Sequence, residues 1–163
     1  MEAAHQGAAG RLRSLPTRLI DHTALLAGRA TEQALAGTGS RRHHYAVLTT
    51  LKEGGATSQA ELGRRTGIDR SDIVAVLNDL VGRGFVERVT DPGDRRRNIV
   101  SLADPGRQHL GELDHRLDLA QQDLLAALTA AERRTLISLL GRILDDHATR
   151  PAGNSPASVS RNR

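Results

Sequence analysis

The sequence predicts a mainly α-helical domain with one small β-hairpin, and three observations lead there. Apolar residues recur at helical spacing along most of the chain. Glycines and capping pairs punctuate those runs, and only residues 85–102 carry strand-like segments around a Pro-Gly turn. The 38% hydrophobic content includes one Phe and one Tyr, so the core must be built from Leu, Ile, Val and Ala. Such a core suits helix-on-helix packing and argues against a β-sandwich or a large aromatic-lined cavity.

In chain order, Leu15, Leu19, Leu25 and Leu26 mark a first helix over about 16–35, ended by Gly37-Thr38-Gly39. A second, over about 41–52, carries Tyr45, Val47, Leu48 and Leu51 and closes at Gly54-Gly55. Ser58 and Glu61 form a capping box that opens a short third helix, broken at Gly67. Asp69 suits the N-cap of a fourth helix over about 70–81, which stops at Gly82 and Gly84. Residues 85–89 and 98–102 read as strands, and Pro92-Gly93 supplies the turn chemistry between them. After Pro105 a long helix runs to about Leu128; Thr129 and Glu132 then form a second capping box before a last helix with Leu136, Leu139, Leu140, Ile143 and Leu144. Residues 1–14 read as a flexible arm and 149–163, rich in Pro, Gly, Asn and Ser, as a disordered tail.

A short helix, a glycine turn, a longer helix and then a β-hairpin make up the winged helix-turn-helix arrangement. At about 100° per residue, Ile73, Val76, Leu77 and Leu80 share one face of the fourth helix and should seat it in the core. Ser71, Ala75, Asn78 and Gly82 fall opposite, with Asp72 and Val74 at the flanks. A face of such small side chains can approach the floor of a DNA major groove, where Ser and Asn meet base edges and Ala or Val a thymine methyl. Arg70 in the first turn reaches a phosphate or a guanine. The hairpin places Asp94-Arg95-Arg96-Arg97 directly after its turn, and a narrow minor groove attracts such arginines. Asp94 would repel phosphate, so its sensible role is to pin one arginine through a carboxylate–guanidinium fork. Ser58, Arg64 and Arg65 on the third helix are expected at the DNA backbone. An ordinary solvated helix face and a solvated charged turn are the alternative readings of these features.

At these residues the sequence resembles the MarR family of bacterial transcriptional regulators. The resemblance is carried by Ser58-Gln59-Ala60-Glu61-Leu62-Gly63, Ile68-Asp69-Arg70-Ser71-Asp72-Ile73-Val74 and Leu80-Val81-Gly82-Arg83-Gly84-Phe85-Val86-Glu87-Arg88. Most specific is the wing string Asp91-Pro92-Gly93-Asp94-Arg95-Arg96-Arg97-Asn98-Ile99-Val100-Ser101-Leu102. The resemblance implies a homodimer on a palindromic operator in double-stranded DNA, with one wing on each half-site. By the family's Asp-x-Arg wing motif it also implies that Asp94 orients Arg96 into the minor groove. The DNA-binding lobe is then about 41–103, and the dimerisation helices about 15–36 and 105–147, within a domain spanning 15–148. One departure is Ala103-Asp104-Pro105-Gly106 where the family commonly has Thr-x-x-Gly, which implies a different cap on the fifth helix.

Dimerisation is also expected from the residues themselves. The leucines of the last two helices, with Leu15 and Leu19, exceed what a three-helix winged domain can cover, and an intertwined dimer would bury them. The family's regulators often release DNA when a small aromatic or acidic molecule binds. Arg18 and His22, one turn apart, together with His43, His44 and Tyr45, would form a basic pocket for a carboxylate or phenol if those helices meet. Surface arginines and helix-end histidines account for the same residues without a ligand.

Net charge is +4, and Lys52 is the only lysine among 23 basic residues. An arginine bias fits phosphate and guanine recognition, and equally a GC-rich genome. The chain has no cysteine, which excludes disulfides, thiolate metal sites and thiol redox sensing. His109 and His115 stand six apart rather than on one helix face, so no metal site or cofactor is expected. No Ser-His-Asp string, phosphate-cradling loop or HExxH is present, and an enzyme is not expected. No apolar run approaches a membrane span, so a cytoplasmic location is expected. The competing class is a winged-helix protein-interaction module that does not read DNA, although such modules usually lose the basic wing.

Overall fold

The computed structural model describes residues 14–149, so most of the expected N-terminal arm and the expected tail beyond Thr149 lie outside the described residues. Two compact units divide between Leu124 and Leu125. In chain order the first contains helices α1 (Pro16–Leu35) and α2 (Arg42–Gly54), strand β1 (Thr57–Ser58) and helices α3 (Gln59–Thr66) and α4 (Arg70–Gly82). Strands β2 (Val86–Asp91) and β3 (Asp94–Leu102) and helix α5 (Asp104–Leu124) complete it. The second unit contains α6 (Ala130–Thr149).

The core of the first unit is aliphatic, as the composition required. Val47, Leu48 and Leu51 of α2 join Leu62 of α3, the α4 face Ile73, Val76, Leu77 and Leu80, and Leu110, Leu113 and Leu117 of α5 in one buried cluster. The four predicted α4 core residues are therefore all buried, while Ser71, Asp72, Val74, Ala75 and Asn78 stand exposed.

Two caps differ from expectation. The Ser58 hydroxyl accepts the Glu61 amide at 3.2 Å, but the Glu61 carboxylate pairs with Arg64 one turn on, so only half of the reciprocal box forms. Asp69 occupies the N-cap of α4, yet its side chain makes no capping bond. Between these helices Gly67 takes the left-handed conformation (φ 67°), which a glycine adopts without Cβ strain.

The sheet is antiparallel in the order β1-β3-β2. Two-residue β1 escapes sequence reading because it is too short to show a period. The hairpin arms reach further than predicted: β3 begins at Asp94 rather than near Asn98. The register runs from Val86↔Leu102 to Thr90↔Asn98 and then jumps to Asp91↔Asp94. Residues 95–97 thus lie opposite no β2 residue, a bulge of three arginines beside the turn. The Asp91 carboxylate sets that turn by accepting the Gly93 amide at 2.9 Å.

Helix α5 starts one residue earlier than expected and stops at Leu124 rather than near Leu128. Thr129 and Glu132 form the reciprocal box that opens α6, and Arg133 Nε donates to the carbonyls of Leu125 and Leu128 at 3.1 Å each. Those bonds hold residues 125–129 as a turn. At the start of α5, Gly106 lies so close to the wing root that a Cβ there would overlap the Phe85 carbonyl.

Candidate nucleic-acid interface

The helix-turn-helix is assembled by local chemistry. Ser58 caps α3, Gly67 turns the chain, and the buried face of α4 fixes the rotation of that helix. The rotation leaves Ser71, Asp72, Val74, Ala75 and Asn78 pointing outward, with Val74 37% exposed despite being apolar. Nothing longer than Asn stands on this face apart from Arg70 at its start.

Beside that face lies an open cleft of about 610 Å³, bounded by α3, the start of α4 and β3. Three cations from three separate elements line it: Arg64, Arg70 and Arg97. Each is exposed, and Arg64 is held by its pair with Glu61. Sequence reasoning missed Gln59 and Asn98, which line the same cleft. Both sit beside residues it did single out, Ser58 and Arg97, and only the β1–β3 pairing brings them to one place.

Ser58 also lines the cleft, but it is buried and its hydroxyl is engaged at the α3 cap. Arg65 behaves differently from Arg64. Its guanidinium lies against Gly54 at the end of α2, because consecutive helical residues diverge by about 100° and only one of the two can face the cleft. Asp94 and Arg95 are exposed beside the hairpin turn, whereas the Arg96 side chain lies outside the described residues, and with it the expected Asp94–Arg96 fork.

The expected ligand cluster is not brought together. His43, His44 and Tyr45 are consecutive on α2, and the same angular divergence sends them to three sides. His44 is buried, accepts the Arg41 amide on Nδ1 at 3.0 Å and faces Asp79 Oδ2 of α4 at 3.3 Å. Its pKa is lowered, chiefly by burial, which outweighs the Asp79 carboxylate. Tyr45 turns to α5 and donates to Asp114 Oδ1 at 2.9 Å, and burial followed by that bond raises its pKa. His43 lines a cleft of about 600 Å³ with Arg41, Arg42 and Asp72. Arg18 and His22 are exposed on α1, and the cavity of about 800 Å³ beside that helix is lined instead by its later residues, such as Thr31 and Glu32, with Arg41 and Arg42. Among the described residues no group of three or more His, Asp and Glu side chains gathers as a metal site.

A winged helix-turn-helix with this geometry invites comparison with known proteins. The family model described as MarR family matches residues 38–97, from the turn before α2 into the wing. The transcriptional repressor NicR of Pseudomonas putida is 30% identical over 124 residues, covering 76% of this chain and 75% of NicR. The chain belongs to the MarR family. Among solved MarR-like structures, the repressor CouR bound to a 23-mer DNA duplex superposes with a TM-score of 0.76 at 29% identity, covering 83% of this chain and 96% of CouR. PcaV of Streptomyces coelicolor, in complex with its natural ligand, gives 0.72 at 30% identity over 82% of this chain and 94% of PcaV. The chain spans 65% to 75% of the length of the first curated relatives it matches. MarR-family membership places the chain in a family of transcriptional regulators. Among the described residues no helix is long and apolar enough to cross a membrane.

Proposed function

We propose that this MarR-family chain is a homodimeric repressor that reads a palindromic operator, with α4 in the major groove and the wing in the neighbouring minor groove. The observation that carries the reading is the cleft in which Arg64, Arg70 and Arg97 converge beside an α4 face of small side chains. Such convergence suits a phosphate backbone, and the small face permits close approach to base edges. Ser71, Val74, Ala75 and Asn78 read bases, Asp72 sits at the flank, and Arg70 meets a guanine or a phosphate. Arg64 and Arg97 hold the backbone together with the capped N-terminus of α3 at Ser58. Arg95 and Arg96 supply the wing's groove contacts, with Asp94 as the orienting carboxylate. CouR, solved on a DNA duplex, supports this docking by likeness of fold.

Dimerisation is supported by two apolar rows left exposed. Leu19, Ile20, Leu25 and Leu26 on α1 are 44–57% exposed, and Ile137, Ile143 and Leu144 on α6 are 46–70% exposed. A second copy would cover both rows, whereas a light-scattering mass near 17.5 kDa would refute the dimer. A small aromatic or acidic effector is proposed by analogy with PcaV, solved with its natural ligand. Of its expected contacts, Arg18 and His22 are exposed on α1 outside the cleft that His43 lines, and His44 and Tyr45 are already engaged within the fold.

The test is a titration of the purified protein against duplex DNA from just upstream of its own coding sequence, at two salt concentrations, with Arg96→Ala alongside. Tight, salt-sensitive binding that the variant largely loses supports the reading, because neutralised phosphates release counterions. Binding that is equally weak on any duplex and indifferent to Arg96 would mean that the fold docks a protein instead.

A further inference from the structure

Away from the cleft, a polar chain runs between the C-terminal end of α4 and α5. Arg83, directly after α4, reaches back to the turn between α1 and α2, donating to the carbonyls of Gly39 at 2.8 Å and Thr38 at 3.1 Å. The same guanidinium lies 4.5 Å from the centre of the Phe85 ring at the wing root. The Phe85 ring stacks at 4.4 Å on His109 of α5. Ser40, 6% exposed, closes the circuit with its Oγ 2.8 Å from His109 Nε2 and 3.4 Å from Arg83 Nη1.

Arg83 can only donate, so the Ser40 oxygen accepts from it, and the Ser40 hydroxyl keeps one hydrogen and one lone pair for His109 Nε2. When the ring is neutral with its proton on Nδ1, 4.0 Å from Glu112 Oε2, Nε2 is the acceptor of the Ser40 hydrogen. A second proton would turn Nε2 into a donor, leave the buried Ser40 hydrogen without that acceptor, and put a second cation beside Arg83 at the same phenyl ring. The Ser40–His109 pair is no nucleophile and base: the hydroxyl is buried and already carries the Arg83 contact.

We infer that the Arg83–Ser40–His109 chain is a proton-operated latch that positions α4 and the wing root against α5, engaged when His109 is neutral and released when it is protonated. This inference rests on the proposed reading of DNA by α4 and the wing. In a dimer, release would alter the placement of the two recognition helices on their half-sites, which must match the helical repeat of DNA.

The charged groups facing the latch pull in both directions. Around His109 these are Arg83 across the turn and Glu112 on its own helix; burial first and then Arg83 lower its pKa, against Glu112. Beyond Arg83 lie Asp79, at 3.6 Å, and His44, itself flanked by Arg41 and His43. A histidine whose pKa is lowered in the latched state binds fewer protons there than in the released state. The latch is therefore fully engaged above the ordinary histidine value of 6.5 and weakens as pH falls from there through the lowered value.

The experiment measures binding of the full chain to the upstream duplex at pH 7.5 and 5.5, at constant ionic strength, for wild type and His109→Gln. Glutamine offers Ser40 a neutral acceptor that cannot charge. Wild type should lose about fivefold or more in affinity at pH 5.5, and His109→Gln should hold its affinity across that range to within about twofold. As a reading that does not depend on the variant's folding, the His109 ring of wild type is titrated by NMR with and without duplex. Reciprocity requires its pKa to fall further in the complex. An equal pH loss in both proteins, or a ring pKa unmoved by DNA, overturns the latch while leaving the DNA reading intact. Absence of duplex binding at pH 7.5 removes both.

Discussion

Replacing Gly106 by alanine tests the joint between the wing root and α5. The new Cβ would overlap the Phe85 carbonyl oxygen and lie 2.9 Å from both the Phe85 carbonyl carbon and Leu102 Cδ1. A flexible side chain could yield, but this carbonyl is backbone and also accepts the Ala103 amide at 3.1 Å. Overpacking of this kind costs about 1–3 kcal/mol, and displacing the carbonyl weakens a hydrogen bond worth about 1 kcal/mol. Alanine's better helix propensity returns up to about 1 kcal/mol, so the net loss is about 2 kcal/mol. For a chain of this size that lowers Tm by about 4–8 °C. Gly111→Ala is the control on the same helix, since a Cβ there meets nothing within 4 Å; it should raise stability by about 0.5–1 kcal/mol. Thermal unfolding followed by circular dichroism at one protein concentration reads both. If Gly106→Ala melts at or above the wild-type temperature, the close approach of α5 to Phe85 is wrong.

Further outcomes follow from burial and charge. Leu77→Ala, at a fully buried site, should cost about 2–5 kcal/mol in denaturant unfolding. Leu25→Asp, at a 57% exposed site, should instead leave each protomer folded and shift the light-scattering mass toward a monomer. Arg64→Ala and Arg97→Ala should each weaken binding to every duplex and reduce the slope of log affinity against log salt by about 1; an unchanged slope would remove that residue from the phosphate contacts. Glu132 has its pKa lowered by the Thr129 hydroxyl and then the Thr129 amide. The capped start of α6 should therefore be protected above pH 4.5 and lose protection as pH falls through the lowered value, an effect that hydrogen exchange would show missing in Glu132→Gln.

The order of the helices, the hairpin and the exposed face of α4 are legible in the residues alone, because each rests on local rules. The four buried α4 residues fall on one stripe by helical period alone, and Gly67, Pro92-Gly93 and the Thr129–Glu132 box are signals contained within a few residues. Family membership was legible for the same reason, since the wing string is contiguous. What converges depends on packing between distant segments. Arg64, Arg70 and Arg97 share a cleft only because β1 pairs with β3 and fixes α3 beside the wing. His44 and Tyr45, adjacent in sequence, part company because α4 offers Asp79 on one side and α5 offers Asp114 on the other. The Arg83–Ser40–His109 chain joins residues separated by 43 and 69 positions. No periodicity links such positions, because a hydrogen bond depends on where packing has placed two atoms and not on their distance along the chain.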